Sequence, residues 1–444
     1  MIEGKKSTLR RILQSLDKYT RTDMLYLAKG SFWLILANLL TTVIVLVMSI
    51  VFANKIPSET YGVYKYFLSV LGILSITTLT GIGPMVSQAV ARGFEGSLYK
   101  GLKTKILYGS IGGCVSIGIS IYYLLNNNFQ LALIFAFASI FIPFMDSLHI
   151  YQNYLQGKKL FDKSSIYISI SQAIASGVMI ATVFLTQNIY TILLSYLLSW
   201  TGIRLFYFIK TTKIYPPNNQ VDPKTISLGK HSSYIDIIAT LIGSLDSILI
   251  FHYLGSVELA IYSFAIAPIT QLVSLFRNIP TLATPKLANR SVSEINKLLY
   301  KRILIMLGFA ILITIIYIIF AKDIYGLLFP QYLDSIFVSK IYALTMLISI
   351  PLTILSAAVN AKITYFSKKS LYLWNIPGAL STIFMLLFIQ RIGVIGVAYA
   401  RILLLVSTAI ISYLFWLYVV KKDKTISDKN LEYSQHTSQE KKAL

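Results

Sequence analysis

Residues 56–72 read IPSETYGVYKYFLSVLG, and residues 254–262 read LGSVELAIY. The two outlines align without a gap, Ser58 on Ser256 and Tyr64 on Tyr262, and each opens an apolar run. An outline that returns in the second half of the chain points to two related halves. The copies differ at one telling place: the first carries Lys65 where the second has Ser263. A cation entering an apolar run needs a physical reason.

The rest of the chain says what that run is. Of 444 residues, 55% are hydrophobic and only 13% charged, and the mean hydropathy is +0.67, which excludes an ordinary soluble enzyme. Apolar runs of about 20 residues, the length that crosses a bilayer as a helix, recur throughout. They predict an all-α polytopic membrane protein of about 12 transmembrane helices, near 31–53, 63–84, 105–125, 130–150, 165–186, 188–209, 232–252, 257–277, 302–321, 336–358, 370–389 and 392–420. These divide six and six around a polar linker at 211–231, giving bundles at 31–210 and 232–420. An even number of spans gives both halves one orientation, so the expected architecture is two pseudo-symmetric bundles about an axis along the membrane normal, with a central cavity between them.

A formal charge of +22 could suggest nucleic acid, but its distribution argues otherwise. With the N-terminus on the cytoplasmic side, 33 of the 40 Lys and Arg fall in inner segments; the outer loops hold only Lys55, Lys322 and Arg391. That asymmetry is the positive-inside pattern, with both termini cytoplasmic. The first apolar run is longer than a signal-peptide core and lacks a small-residue cleavage site, so it is expected to stay in the protein. Before it, in the basic segment 1–30, Leu9, Ile12, Leu13 and Leu16 follow helical spacing among Arg10, Arg11 and Lys18, as on an amphipathic surface helix or a solvated basic tail. The polar segment 421–444 is expected to be disordered. Cys114 is the only cysteine, which excludes internal disulfides and thiolate metal sites. His149 and His252 lack ligand spacing, no nucleotide-binding glycine loop occurs, and no connection is long enough to hide a catalytic domain. Neither catalytic residues, a metal nor a cofactor is expected.

Chemistry is therefore sought among ionisable groups inside the spans, each of which costs at least about 2.5–3.5 kcal/mol there and should face a wet or paired interior. Helical spacing puts Lys65, Ser69, Gly72 and Ser75 on one stripe, Asp236, Thr240, Gly243, Ser244 and Ser247 on a second, and Asp146, His149 and Asn153 on a third. At about 1.5 Å per residue, Lys65 and Lys340 lie near the outer end, Arg401 near mid-depth, and Arg204 near the inner end with Arg92 and Arg277 at its boundary. The expectation is a ladder of six cations lining a path for an anionic substrate, with Asp146, Asp236 and Asp246 pairing with them or taking up H⁺ or Na⁺ for coupling. Interface anchoring is the alternative for Arg92, Arg204 and Arg277, and snorkelling to the surface for Lys65 and Lys340.

Four segments, LAKGSFWLILANLL (27–40), IPSETYGVYKYFLSVLGILSITTLTGIGPMVSQAVARG (56–93), YQNYLQGKKLFDKSS (151–165) and LDSILIFHYLGSVELAIYSFAIAPI (245–269), carry a resemblance that extends over nearly the whole chain. It resembles the polysaccharide-biosynthesis flippases, the Wzx-type O-unit translocases of the multidrug/oligosaccharidyl-lipid/polysaccharide exporter superfamily. Tyr61, Gly62 and Tyr64 with Arg92, and Asp246 ahead of the second outline, match residue by residue; Ala260 stands where the second copy often has glycine. The resemblance implies a carrier, not an enzyme, moving an undecaprenyl-pyrophosphate-linked oligosaccharide from inner to outer leaflet of the bacterial cytoplasmic (inner) membrane by alternating access. The polymer would be O-antigen or capsule, and the implied partners are membrane lipids, a polysaccharide polymerase and a chain-length regulator. A drug/cation antiporter of the same superfamily would need an acidic, aromatic pocket. A membrane polymerase would need a long external loop with paired basic or acidic residues.

Overall fold

The computed structural model describes residues 24–276, 279–288, 290–366 and 372–443. The expectation of an amphipathic helix in the first segment falls on residues 1–23, which lie outside these. Helices follow one another as α1 (Met24–Lys55), α2 (Ser58–Ser75), α3 (Ile82–Ala91), α4 (Ser97–Leu125), α5 (Phe129–Met145), α6 (Ile150–Gly157), α7 (Phe161–Leu185) and α8 (Ile189–Ile214). The second half continues as α9 (Thr225–Tyr253), α10 (Ser256–Ser274), α11 (Ile279–Ala288), α12 (Val292–Leu328), α13 (Ser335–Ala343), α14 (Met346–Ala361) and α15 (Ile376–Ala443). No strand occurs among the described residues.

Nine of the described helices are long and apolar enough to cross a membrane, or ten when the bent pair α2–α3 counts as one. The expected twelve is not reached by this measure, for two local reasons. In α9 the apolar stretch is described only over Thr240–Tyr253, because the side chains of residues 235, 236 and 239 lie outside those described. In α15 two helices are joined at Gly393, whose φ of 57° and ψ of −143° are open to glycine alone.

Several helices are interrupted, and each interruption has a cause. Between α2 and α3 the chain tightens into a 3₁₀ turn at Ile76–Thr78, Leu79 turns left-handed (φ 57°), and the axis bends by 47°. Pro84, expected to end this span, instead sits in the first turn of α3. Its missing N–H is harmless there, since first-turn amides have no intrahelical partner. Pro143 lies inside α5 just before the break at Asp146–His149. Segment 421–444, expected to be disordered, continues α15 as helix to Ala443. No glycine or proline follows Gly396 to stop it, and Tyr365 holds its start through a bond to Asp423 Oδ1 (2.7 Å) and one from Lys422 Nζ (2.8 Å). The connection between the halves that is not helical shrinks accordingly to residues 215–224.

The largest apolar core draws on both halves, with Phe52, Phe67 and Phe135 from the first and Tyr262, Phe264 and Phe329 from the second. At the end of the bundle away from the lysine- and arginine-rich connections, the two sequence repeats pack on each other. Tyr61 stacks on Phe264 with centroids 4.3 Å apart, and Tyr66 stacks on Phe251 at 4.0 Å. Gly62 permits this closeness, because a Cβ there would lie 1.9 Å from the Ser256 carbonyl oxygen. At the basic end, the non-helical connection and the first turns of α9 bind the first half instead. Gly81 N–H donates to Ser233 Oγ (3.0 Å), and Lys230 Nζ donates to Tyr108 Oη (2.6 Å). Gly62→Ala should therefore lower stability by about 1–3 kcal/mol, the range for overpacking. Gly177→Ala, at a glycine with nothing within 4 Å of its would-be Cβ, should not; thermal unfolding in detergent compares the two.

Candidate functional site

Arg401 lies about two turns past the Gly393 break, so that break sets which way its side chain leaves α15. It points at α9. Its Nη2 is 2.7 Å from Asp246 Oδ2, its Nε donates to the same oxygen at 3.0 Å, and Nη2 also donates to the carbonyls of Gly243 (3.1 Å) and Ile242 (3.3 Å). Tyr262, fully buried on α10, donates its hydroxyl to Asp246 Oδ2 at 2.8 Å. The carboxylate thus receives a guanidinium and a phenol, with side-chain exposures of 14% for Arg401 and 6% for Asp246. Such geometry is what makes a buried ion pair tolerable, since Coulomb attraction and further hydrogen bonds offset desolvation.

Lys65 faces this assembly from α2, close enough to feel the charge of Asp246. Among the described residues its ammonium has no ion pair. The stripe it heads does meet the α9 stripe: a Cβ on Gly72 would touch Ser244 Oγ at 3.6 Å. Two basic groups, Lys65 and Arg401, thus meet the one carboxylate of Asp246 where the halves join. Asp236, on the same α9 stripe, has a side chain outside the described residues, and so does Arg277.

A second charged cluster occupies the first half, where two broken helices meet. Arg204 of α8 pairs with Asp146 Oδ1 (2.8 Å) in the α5–α6 break and donates to the Met145 carbonyl (2.8 Å). Lys105 of α4, only 5% exposed, donates to the carbonyl (3.1 Å) and hydroxyl (3.4 Å) of Thr78 in the α2–α3 break. Each cation takes up a carbonyl near a helix break, the usual way a broken helix is tolerated inside a bundle. Lys105 was not among the sequence candidates because it falls at the start of a span, where a lysine reads as an interface residue. The signal was present: Gly101, Lys105, Gly109 and Gly112 share a face, and Gly109 and Gly112 let α4 approach Pro143 and Thr77 closely. Tyr262 was also missed as a site residue, although the repeat had paired it with Tyr64.

The remaining candidates lie elsewhere. Arg92 follows α3 at the basic end, with 57% of its side chain exposed, and is ion-paired to Asp222 of the non-helical connection. The Lys224 N–H, 3.0 Å from Oδ1, and the Arg92 guanidinium hold the Asp222 carboxyl below the usual carboxylate range. Lys340 sits in the last turn of α13, partly exposed and without an ion pair among the described residues. Of the six expected cations, Arg92, Arg204 and Arg401 are each bound to a carboxylate, Arg204 to Asp146 and Arg401 to Asp246 among the expected pairing partners, because guanidinium groups in or beside an apolar bundle find partners wherever packing supplies them. Among the described side chains, no group of three or more His, Cys, Asp or Glu gathers as metal ligands would.

A cavity of about 480 Å³ opens beside the Arg401 pair, toward the basic end of the second half. Its wall includes Tyr342, whose ring packs edge-on against Tyr262 at 6.5 Å, and Leu405, one turn beyond Arg401 on the same helix face. Helix α1 of the first half borders it through Thr42 and Asn38, which bond to the hydroxyl and carbonyl of Ser274 at 3.1 and 3.0 Å. The volume falls within the about 300–1,000 Å³ of small-molecule sites.

Asp246→Asn should leave Arg401 buried without counter-charge and destabilise the protein by about 3–5 kcal/mol. Asp246→Leu combined with Arg401→Leu should cost less than the sum of the two single changes, as read from unfolding in detergent. Additive single effects would mean the pair is not coupled.

The family described as polysaccharide biosynthesis protein matches residues 27–285 of the chain. Comparison with curated protein sequences gave no match. Among solved structures, the lipid II flippase MurJ in an inward closed conformation is similar at 16% identity and a TM-score of 0.66, covering 89% of this chain and 89% of that one. The eukaryotic MATE transporter AtDTX14 is similar at 13% identity and a TM-score of 0.62, covering 90% of this chain and 99% of that one. An inward-facing multidrug resistance MATE family transporter of the MOP superfamily is similar at 14% identity and a TM-score of 0.60, covering 87% and 96%. These likenesses establish a shared fold.

Proposed function

The chain belongs to the polysaccharide biosynthesis protein family, and from that premise we propose that it is a flippase for an undecaprenyl-pyrophosphate-linked oligosaccharide, moved from inner to outer leaflet of a bacterial cytoplasmic membrane by alternating access. The observation that carries this reading is the excess of basic over acidic groups where the halves join, Lys65 and Arg401 to the one carboxylate of Asp246, with the cavity opening beside Arg401. A diphosphate crossing a low-dielectric region needs such a field. Arg401 can add to it without moving, since a guanidinium has five N–H donors and Asp246 takes only part of them.

Orientation follows from charge. With the basic connections cytoplasmic, the chain makes twelve passes, the cavity faces the cytoplasm, and the packed repeats around Gly62 close the outer side. Transport would part that seal and close the cavity. Coupling to H⁺ or Na⁺ would have to loosen Asp246 from Arg401 or Asp146 from Arg204, so either carboxylate is the place for it. A multidrug cation antiporter has the same fold, but its pocket would need an uncompensated carboxylate. Among the described residues none lines this cavity, and Asp246 is already bonded to Arg401.

Purified protein in proteoliposomes, given a fluorescent undecaprenyl-diphosphate oligosaccharide, should transfer it between leaflets. Lys65→Gln should slow transfer roughly tenfold, the equivalent of about 1.4 kcal/mol, and Lys65→Arg should retain most of it. Equal rates for wild type and Lys65→Gln would remove the charge argument.

A further inference from the structure

A separate cavity of about 240 Å³ lies at the end of the bundle away from the basic connections, at the aromatic seal. Tyr66, Tyr123 and Asn128 of the first half line one side, and Ile248, Phe251 and His252 of α9 line the other. The two walls meet where Tyr66 stacks on Phe251, with centroids 4.0 Å apart. Asn128, in the turn before α5, and His252, in the last turn of α9, are exposed and form the rim. The cavity therefore opens to the side that the charge pattern makes extracytoplasmic.

The groups around this space suit a sugar ring. Asn128 caps α5, its Oδ1 accepting the Leu131 N–H at 3.0 Å, which directs the two amide hydrogens away from that turn. The hydroxyls of Tyr66 and Tyr123 are bonded to each other at 2.5 Å. Such a pair shares one hydrogen and keeps a second, with lone pairs, for another partner. The imidazole of His252 donates from at least one ring nitrogen in either protonation state. Donors and acceptors are thus mixed beside the rings of Tyr66 and Phe251 and the aliphatic Ile248. A sugar matches this wall with hydroxyls around its edge and C–H faces that pack on electron-rich aromatic faces. The volume is below the about 300–1,000 Å³ of drug-sized sites, so it fits one ring rather than a chain.

Each half contributes one wall, so the cavity exists only while the outer end is closed. Asp246, on the same helix as Phe251, is bonded to Arg401 of α15, and this wall therefore travels with the second half. Parting the seal would draw Phe251 from Tyr66 and divide the site. A ligand that binds one of two states shifts the equilibrium toward that state. We infer that the outer cavity takes a hydroxylated sugar ring from the extracytoplasmic side, and that the bound ring clamps the outer end shut. Delivered oligosaccharide that is not removed would thereby slow its own export. The clamp rests on the flippase reading, whereas the sugar site stands on its own wall.

Saturation-transfer NMR on the purified protein in a sugar-free detergent tests the site, with methyl glucoside, methyl galactoside and methyl N-acetylglucosaminide as probes. At least one should receive saturation on its ring C–H groups. Asn128→Ala combined with His252→Ala should weaken that binding about tenfold, at roughly two- to tenfold per neutral hydrogen bond. If this pair does not fold, as judged by thermal unfolding, Tyr123→Phe carries the same measurement, with a loss of about two- to tenfold expected. In proteoliposomes the glycoside that binds should slow transfer of the undecaprenyl-diphosphate oligosaccharide, and the weakened variant should need about tenfold more of it for the same effect. Binding of none of the three glycosides, or undiminished binding by the variant, would overturn the site. Binding that leaves transfer unslowed would overturn the clamp. Absence of transfer even without glycoside would overturn the flippase reading, while the binding measurement would still decide the site.

Discussion

A guanidinium placed inside an apolar helical bundle must be met by a counter-charge and by acceptors for its remaining N–H groups, and Arg401 shows how much structure that requirement organises. Asp246 supplies the charge, the α9 backbone supplies two carbonyls, and Tyr262 supplies a further donor to the carboxylate. Three helices, α9, α10 and α15, are thereby tied together at one point. Their other contacts agree with that tie: a Cβ on Gly378 would strike Ile242, so α15 can approach α9 only where a glycine allows it. Beside the tie the helices spread, and the cavity opens there.

The first half solves the same problem with different residues. Arg204 meets Asp146 and the Met145 carbonyl, while Lys105 meets Thr78. Here the cations do a second service by satisfying backbone carbonyls beside helix breaks, groups that hydrocarbon would leave bare. Breaks and cations therefore belong to one device. A helix that bends near the middle of a bundle can change its bend without unfolding, provided its carbonyls keep partners, which suits a chain whose two ends must open in turn.

Around each buried carboxylate the basic groups are in excess, Lys65 and Arg401 to Asp246 and Arg204 and Lys105 to Asp146, and this excess gives the interior its net sign. A carrier of anionic lipids needs attraction strong enough to draw the headgroup in and weak enough to let it go. Fully exposed arginines would hold a diphosphate firmly; arginines already paired with carboxylates moderate the field. The packed aromatic seal around Gly62 closes the end of the bundle away from the cavity beside Arg401.

The hydropathy pattern by itself determined that the chain is a bundle of membrane-crossing helices, because spans of that length and apolarity have no other stable form in oil. It also exposed the repeat and the entry of Lys65 into an apolar run, since each is a local feature of a few neighbouring residues. Helical spacing even identified the stripes that face one another, Gly72 toward Ser244. Only the tertiary structure decided which carboxylate each cation receives. Arg401 and Asp246 are 155 residues apart in the chain, and Arg204 and Asp146 are 58 apart, so no periodicity links them. The burial of Lys105, the role of Tyr262 and the continuation of α15 beyond Lys421 were likewise settled by packing between distant helices. Periodicity tells which side of a helix is polar; only the arrangement of the other helices tells what that side will meet.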